Sequence, residues 1–146
     1  MVQQELLELY KRDIEKLISE FNQYPTDDAI WKVSSGITNS AGNLGLHLIG
    51  SLNHFIGATI GNTGYVRNRD AEFSGKEKSR AEIIDELKAA AKVVEQTFSN
   101  LSEEDLNKPF PFEFAGKQST RFYLMLFLGH LNYHLGQVSY HRRILS

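Results

Sequence analysis

The sequence predicts an all-α protein, a four-helix bundle of up-and-down topology with a long crossover loop between helices 2 and 3. Three observations lead there. Apolar residues recur at spacings of three and four through separate stretches of the chain, which is the period of a helix with one buried face. All three prolines fall between those stretches, where they cannot break a helix. The 146 residues suffice for one hydrophobic core, so residues 1–146 read as a single domain.

The first helix, about Val2 to Gln23, carries Leu6, Tyr10, Ile14, Leu17 and Phe21 on one stripe and ends at Tyr24-Pro25-Thr26. Asp13 lies at the edge of that stripe, where a carboxylate is either solvated or orients a buried histidine from behind. Asp27 to Ile37 is a connector with Trp31 as its anchor. The second helix, about Thr38 to Ile60, has no charged residue from Thr38 to Gly61, a length that raises a membrane-spanning reading. Asn39, Asn43, His47, Asn53 and His54 are too polar for lipid, and the negative mean hydropathy favours a buried helix. Asn43, His47, Ser51 and His54 share a narrow arc at ideal helical geometry. Gly42, Gly45, Gly50 and Gly57 weaken the helix, a loss best tolerated where another element approaches closely.

Asn62 to Gly75 mixes turn residues with charges of both signs and reads as the crossover. Ser79 and Glu82 then form a capping box that starts the third helix. Ile84, Leu87, Ala91, Val94, Phe98 and Leu101 supply its seam. Ser102-Glu103-Glu104-Asp105 begins a short turn. Pro109 and Pro111 keep Phe110 to Gln118 out of a helix, and Phe112-Glu113-Phe114 reads as a small extended flap. The fourth helix opens on the apolar run Phe122 to Leu128 and continues through His130, His134, Gln137 and His141.

A formal charge of −2 without a basic block argues against a nucleic-acid partner, which calls for a basic face. With no cysteine, disulfides, thiolate ligands and a cysteine nucleophile are excluded together, and any metal must sit on nitrogen and oxygen. The N-terminus opens on charged helical sequence without a signal pattern, the expectation for a cytoplasmic protein. All five histidines fall on the second and fourth helices. His130 and His134, four apart, point the same way and can grip one ion. If the helices alternate direction, the second and fourth run parallel, and His47 comes level with that pair. His54 and His141, each seven residues further on, then form a second polar layer about 10 Å away. The plain alternative for each histidine is a hydrogen-bonded core residue, and for His54 and His141 it is the favoured one. Asn43, Tyr133 and Gln137 either line a pocket or pack the bundle.

The segments Asn43-Leu44-Gly45-Leu46-His47-Leu48-Ile49-Gly50 and His130-Leu131-Asn132-Tyr133-His134-Leu135-Gly136-Gln137, on a four-helix pattern spanning almost the whole chain, resemble the DinB/YfiT-like superfamily of metalloenzymes. The resemblance implies a metal triad of His47, His130 and His134, a divalent ion of zinc or nickel, and a homodimer. It also implies a small-molecule substrate and, from characterised relatives, transfer chemistry with a low-molecular-weight thiol. Three neutral imidazoles leave the ion's charge uncompensated, which favours a bound thiol or water in its deprotonated form. In that reading His54 or His141 moves a proton as the catalytic candidate, and Arg67 and Arg69 hold the thiol's carboxylates; the alternative for the arginines is pairing with Asp70 and Glu72. Metal-dependent hydrolysis is a second reading and needs a general base that the sequence does not offer. A non-catalytic helical binding or structural module is the third.

Overall fold

A computed structural model describes all 146 residues. It contains α1 (Val2–Asn22), a 3-10 turn (Asp28–Trp31), α2 (Ala41–Ser51) continued by a π-helical segment (Leu52–Ala58), α3 (Arg69–Ser74), α4 (Arg80–Ser99), α5 (Glu103–Asn107) and α6 (Thr120–Leu145). The four long elements are those the periodicity predicts. Ser79 and Glu82 do close a capping box at the start of α4. The crossover is not wholly irregular, because Asn68 caps the short α3 within it. The flap stays non-helical and pairs like a narrow hairpin: Phe110 N–H donates to the Gln118 carbonyl at 3.0 Å and Thr120 N–H to that of Lys108 at 2.8 Å. No helix is long and apolar enough to cross a membrane.

The directions of the helices correct the alternating, up-and-down order. Tyr10 packs edge-on against Phe98 at 5.4 Å and Lys11 meets Glu95 at 3.7 Å, so α1 and α4 are antiparallel. Asn132 bonds Asp13 and Arg142 bonds Glu20, which makes α1 and α6 parallel. Gly45 lies against Ile83 and Gly57 against Val93, so α2 and α4 run the same way. His47 meets His130 while Phe55 stacks on Phe127, so α2 and α6 are antiparallel. The order is up, down, down, up. The crossover makes this possible: the roughly 20 residues from Thr59 to Ser79 can reach well beyond the about 30 Å of a helix of that length. They carry the chain back to the end where α2 began.

Two close approaches fix the crossover to the bundle. A Cβ on Gly42 would lie 2.4 Å from the Trp31 ring, and the Trp31 indole N–H donates to the Lys78 carbonyl at 3.2 Å. Trp31 is thus the anchor expected of it. Asn43, buried, donates from Nδ2 to the carbonyls of Glu72 and Gly75 at 2.9 and 2.8 Å.

Candidate metal centre

His47 stands in the middle of α2, and His130 and His134 stand one turn apart on the antiparallel α6. Their ring nitrogens converge. His130 Nε2 is 3.1 Å from His47 Nε2 and 3.1 Å from His134 Nε2, and all three donors lie within 4.8 Å of one another. Two imidazole nitrogens each bound at about 2.0–2.1 Å to one ion sit roughly 3 Å apart, so this spacing fits a shared divalent cation.

The outer nitrogens fix the tautomers. His47 Nδ1 is 3.0 Å from Glu72 Oε1, and His134 Nδ1 is 2.6 Å from Gln137 Oε1. Both oxygens only accept, so each Nδ1 carries the hydrogen and each Nε2 lone pair faces the centre. Arg67 Nη2 near His47 Nδ1, at 3.3 Å, is then a contact between two donors, held there by the carboxylate they share. Burial lowers the His130 pKa to about 4, with His134 and His47 adding to the effect. Burial likewise lowers that of His47 against the opposing bond from Glu72. These two rings are therefore neutral at pH 7, the form that ligates.

Glu72 is the residue beside the cluster that periodicity does not reveal. It is 4% exposed and takes a two-pronged ion pair from Arg67, at 2.7 Å to Oε2 and 2.8 Å to Oε1. A buried carboxylate needs such compensation. Gly50 leaves the space for it: a Cβ there would lie 2.0 Å from Glu72 Oε2. The sequence signal is faint, a glycine inside α2 and an acid inside the crossover.

The remaining site residues are dispersed. Arg67 is committed to Glu72, which is part of the pairing alternative and removes it as a holder of incoming anions; Arg69 lies over the Phe73 ring at 6.0 Å. Asn43 braces the crossover and does not line an opening. Gln137 holds His134 and also borders a cavity of about 390 Å³ with Leu44, Tyr140 and His141. Tyr133 points outward, its ring 5.3 Å from that of His134. Asp13 is buried but reaches no histidine, since Oδ2 accepts from Asn132 Nδ2 at 3.1 Å.

The second polar layer does not form. Because α2 and α6 are antiparallel, His54 and His141 depart toward opposite ends. His141 has both nitrogens bonded, Nδ1 to the Tyr24 hydroxyl at 2.7 Å and Nε2 to the Lys32 carbonyl at 2.8 Å, so it cannot carry a proton to the centre. His54 falls in the π-helical segment, where Thr59 N–H bonds the His54 carbonyl at 3.0 Å and Gly61 N–H that of Ile56 at 2.9 Å. Those five-residue spacings unwind the helix and carry His54 off the His47 arc. Its ring instead lies 4.8 Å from Phe55 and 6.1 Å from Phe112 of the flap. Phe55 and Phe127, stacked at 4.8 Å, and Phe114 at 5.5 Å from Phe55 complete an aromatic wall one turn from His130.

Comparison with known proteins agrees with this architecture. The family model of the DinB superfamily matches residues 6–138. A solved structure described as a conserved protein from Enterococcus faecalis superposes with a TM-score of 0.80 at 17% identity, covering 99% of this chain and 97% of that one. That likeness concerns the fold alone. Among curated proteins none matches the sequence.

Proposed function

The chain belongs to the DinB superfamily, and from that premise we propose that His47, His130 and His134 hold one divalent ion, zinc or nickel, at which a low-molecular-weight thiol is activated for transfer to an electrophilic small molecule. The observation that carries this is the convergence of three Nε2 atoms whose outer nitrogens are tied down. A bound ion of this kind supplies Lewis acidity, lowering the pKa of a coordinated thiol or water. The protein supplies the rest. Glu72 and Gln137 hold the Nδ1 hydrogens of His47 and His134, so the donor atoms are aimed before anything binds. Arg67 pairs with both oxygens of Glu72 and holds the carboxylate against His47. Phe55, Phe127 and the flap phenylalanines form an apolar wall on one side, and His54, lowered in pKa by burial and by Arg67, stands there neutral and able to accept a proton.

Hydrolysis is the weaker reading, because the carboxylate at the cluster, Glu72, is already bonded to Arg67 and His47 and is not free to activate water. The test is elemental analysis of protein purified without a histidine tag, wild type beside His130→Ala, followed by an assay of electrophile consumption with and without added thiol. About one ion per chain, lost in the variant, together with thiol-dependent turnover, is expected. A metal-free wild type after incubation with excess zinc or nickel would overturn the proposal, and turnover that needs no thiol would favour hydrolysis.

A further inference from the structure

The cavity of about 390 Å³ beside Gln137 takes no part in the chemistry proposed above. It lies where the connector between the 3-10 turn and α2 passes over the last turns of α6. Gly36, at φ +84°, makes the turn in which the Ile37 N–H donates to the Ser34 carbonyl at 3.0 Å, a conformation that favours glycine. From Ile37 to Asn39 the chain then borders the cavity. Leu44 and His141, 5% and 4% exposed, form its floor, and Tyr140 and Ile144, at 65% and 68%, stand at its rim. The volume is at the small end of the roughly 300–1,000 Å³ of small-molecule sites, which suits a compact molecule and not a peptide.

The lining says what chemistry fits. No Lys, Arg, Asp or Glu borders the cavity, so a charged guest would lose its hydration without meeting a counter-charge, which is costly. His141 offers nothing to a guest, because both its nitrogens are bonded within the chain. Ile37, Leu44 and Ile144 supply apolar surface, while the side chains of Asn39 and Tyr140 make no hydrogen bond to the protein. Gln137 is decisive. Its Oε1 accepts from His134 Nδ1 at 2.6 Å, which leaves Nε2 with two hydrogens and no acceptor in the chain. That nitrogen only donates, so a guest that meets it must bring an acceptor oxygen. The cavity also lies behind His134: Gln137 holds the outer nitrogen of the ring, whereas an ion would sit at the inner one.

We propose that this cavity is a binding site for an uncharged small molecule with an apolar body and a carbonyl or similar acceptor oxygen, received by Gln137 Nε2, and that its occupation strengthens metal binding at His134. The second effect follows from the first. An amide that donates from its nitrogen is polarised, and its oxygen becomes a better acceptor. A firmer bond from His134 Nδ1–H to that oxygen makes the ring a more basic ligand. By reciprocity the bound ion tightens the guest by the same factor. The binding site stands whether or not a metal binds; the coupling rests on the three-histidine reading.

Three probes of nearly equal shape test the site: acetophenone, uncharged and with an oxygen that only accepts, benzoate and benzamidine. In metal-free protein an NMR titration is expected to show acetophenone shifting the methyl signals of Leu44 and Ile144 and the side-chain amide of Gln137, with the two charged probes about tenfold weaker or more. Gln137→Glu keeps an acceptor for His134 and removes both hydrogens, so it should weaken acetophenone by about three- to tenfold with the helical circular dichroism unchanged. Zinc affinity measured by calorimetry should rise about fivefold or more when acetophenone is present. No binding of acetophenone, shifts confined to another part of the protein, equal binding of the three probes, or full acetophenone affinity in Gln137→Glu would each overturn the site, and a zinc affinity indifferent to acetophenone would overturn the coupling. A protein that binds acetophenone as expected but no zinc would remove the metal-centred function, and the coupling with it, and leave the site; zinc binding without acetophenone binding would do the reverse.

Discussion

The two ends of the α2–α6 contact bury histidines in opposite ways. At the His47, His130 and His134 cluster, the outer nitrogens of His47 and His134 donate to Glu72 and Gln137, and the inner nitrogens face one another. At His141 the tautomer is reversed. Burial, reinforced by the charge of Glu20, pushes the Tyr24 phenol up, so its hydroxyl stays protonated and donates to His141 Nδ1, leaving Nε2–H for the Lys32 carbonyl. Burial alone therefore does not make a histidine a ligand. What matters is whether the protein itself satisfies the nitrogen that faces inward.

Substitutions can break this contrast, the most severe first. His130→Ala removes the donor shared by both short nitrogen contacts, and stoichiometric zinc or nickel binding should disappear. Titration calorimetry checks this, as does loss of the metal-induced rise in melting temperature, which for wild type corresponds to about 2.7 kcal/mol at a hundredfold excess over Kd. Glu72→Gln should keep the fold and weaken metal affinity by about 10–100-fold, the usual cost of losing a ligand's hydrogen-bond partner. Wild-type affinity in that variant would show that Glu72 serves only to pair Arg67.

Gly50→Ala sharpens the same point while leaving every ligand and its hydrogen-bond partner chemically unchanged. Its new methyl collides with Glu72 Oε2, so metal affinity should fall in the direction of Glu72→Gln, with a stability loss of about 1–3 kcal/mol from overpacking by denaturant titration. Gln137→Ala releases an amide, a neutral acceptor, and should cost about tenfold in affinity. His141→Leu is the control at the other end of α6. It should leave metal content unchanged while costing about 1–3 kcal/mol, because the buried Tyr24 hydroxyl loses its short bond to Nδ1 and the Lys32 carbonyl its donor. Metal loss in His141→Leu would remove the distinction between the two regions.

Much of the site was legible because it depends on spacing within one helix. His130 and His134 share a face at any tertiary arrangement, since four residues make about one turn. The capping box at Ser79 and Glu82 is equally local, and so is the stop at Tyr24-Pro25. His54 was misplaced for a local reason too: the arc assumed 3.6 residues per turn, and the π-helical segment after Ser51 does not keep that count. The contact of Glu72 with His47 and that of Asp13 with Asn132 were out of reach for a different reason. Each crosses between elements, Glu72 from the crossover to α2 and Asp13 from α1 to α6.

The sequence by itself determined the four long helices, the apolar stripe each one carries, the exclusion of thiolate ligands and the shared face of His130 and His134, all of which follow from composition and helical period. Only the tertiary structure decided the rest. Helical period says which residues share a face and nothing about which end of a neighbouring helix meets them, and here the crossover returns the chain to the starting end of α2. That one long-range choice makes α2 antiparallel to α6, keeps His54 and His141 apart, and carries Glu72 to the outer nitrogen of His47.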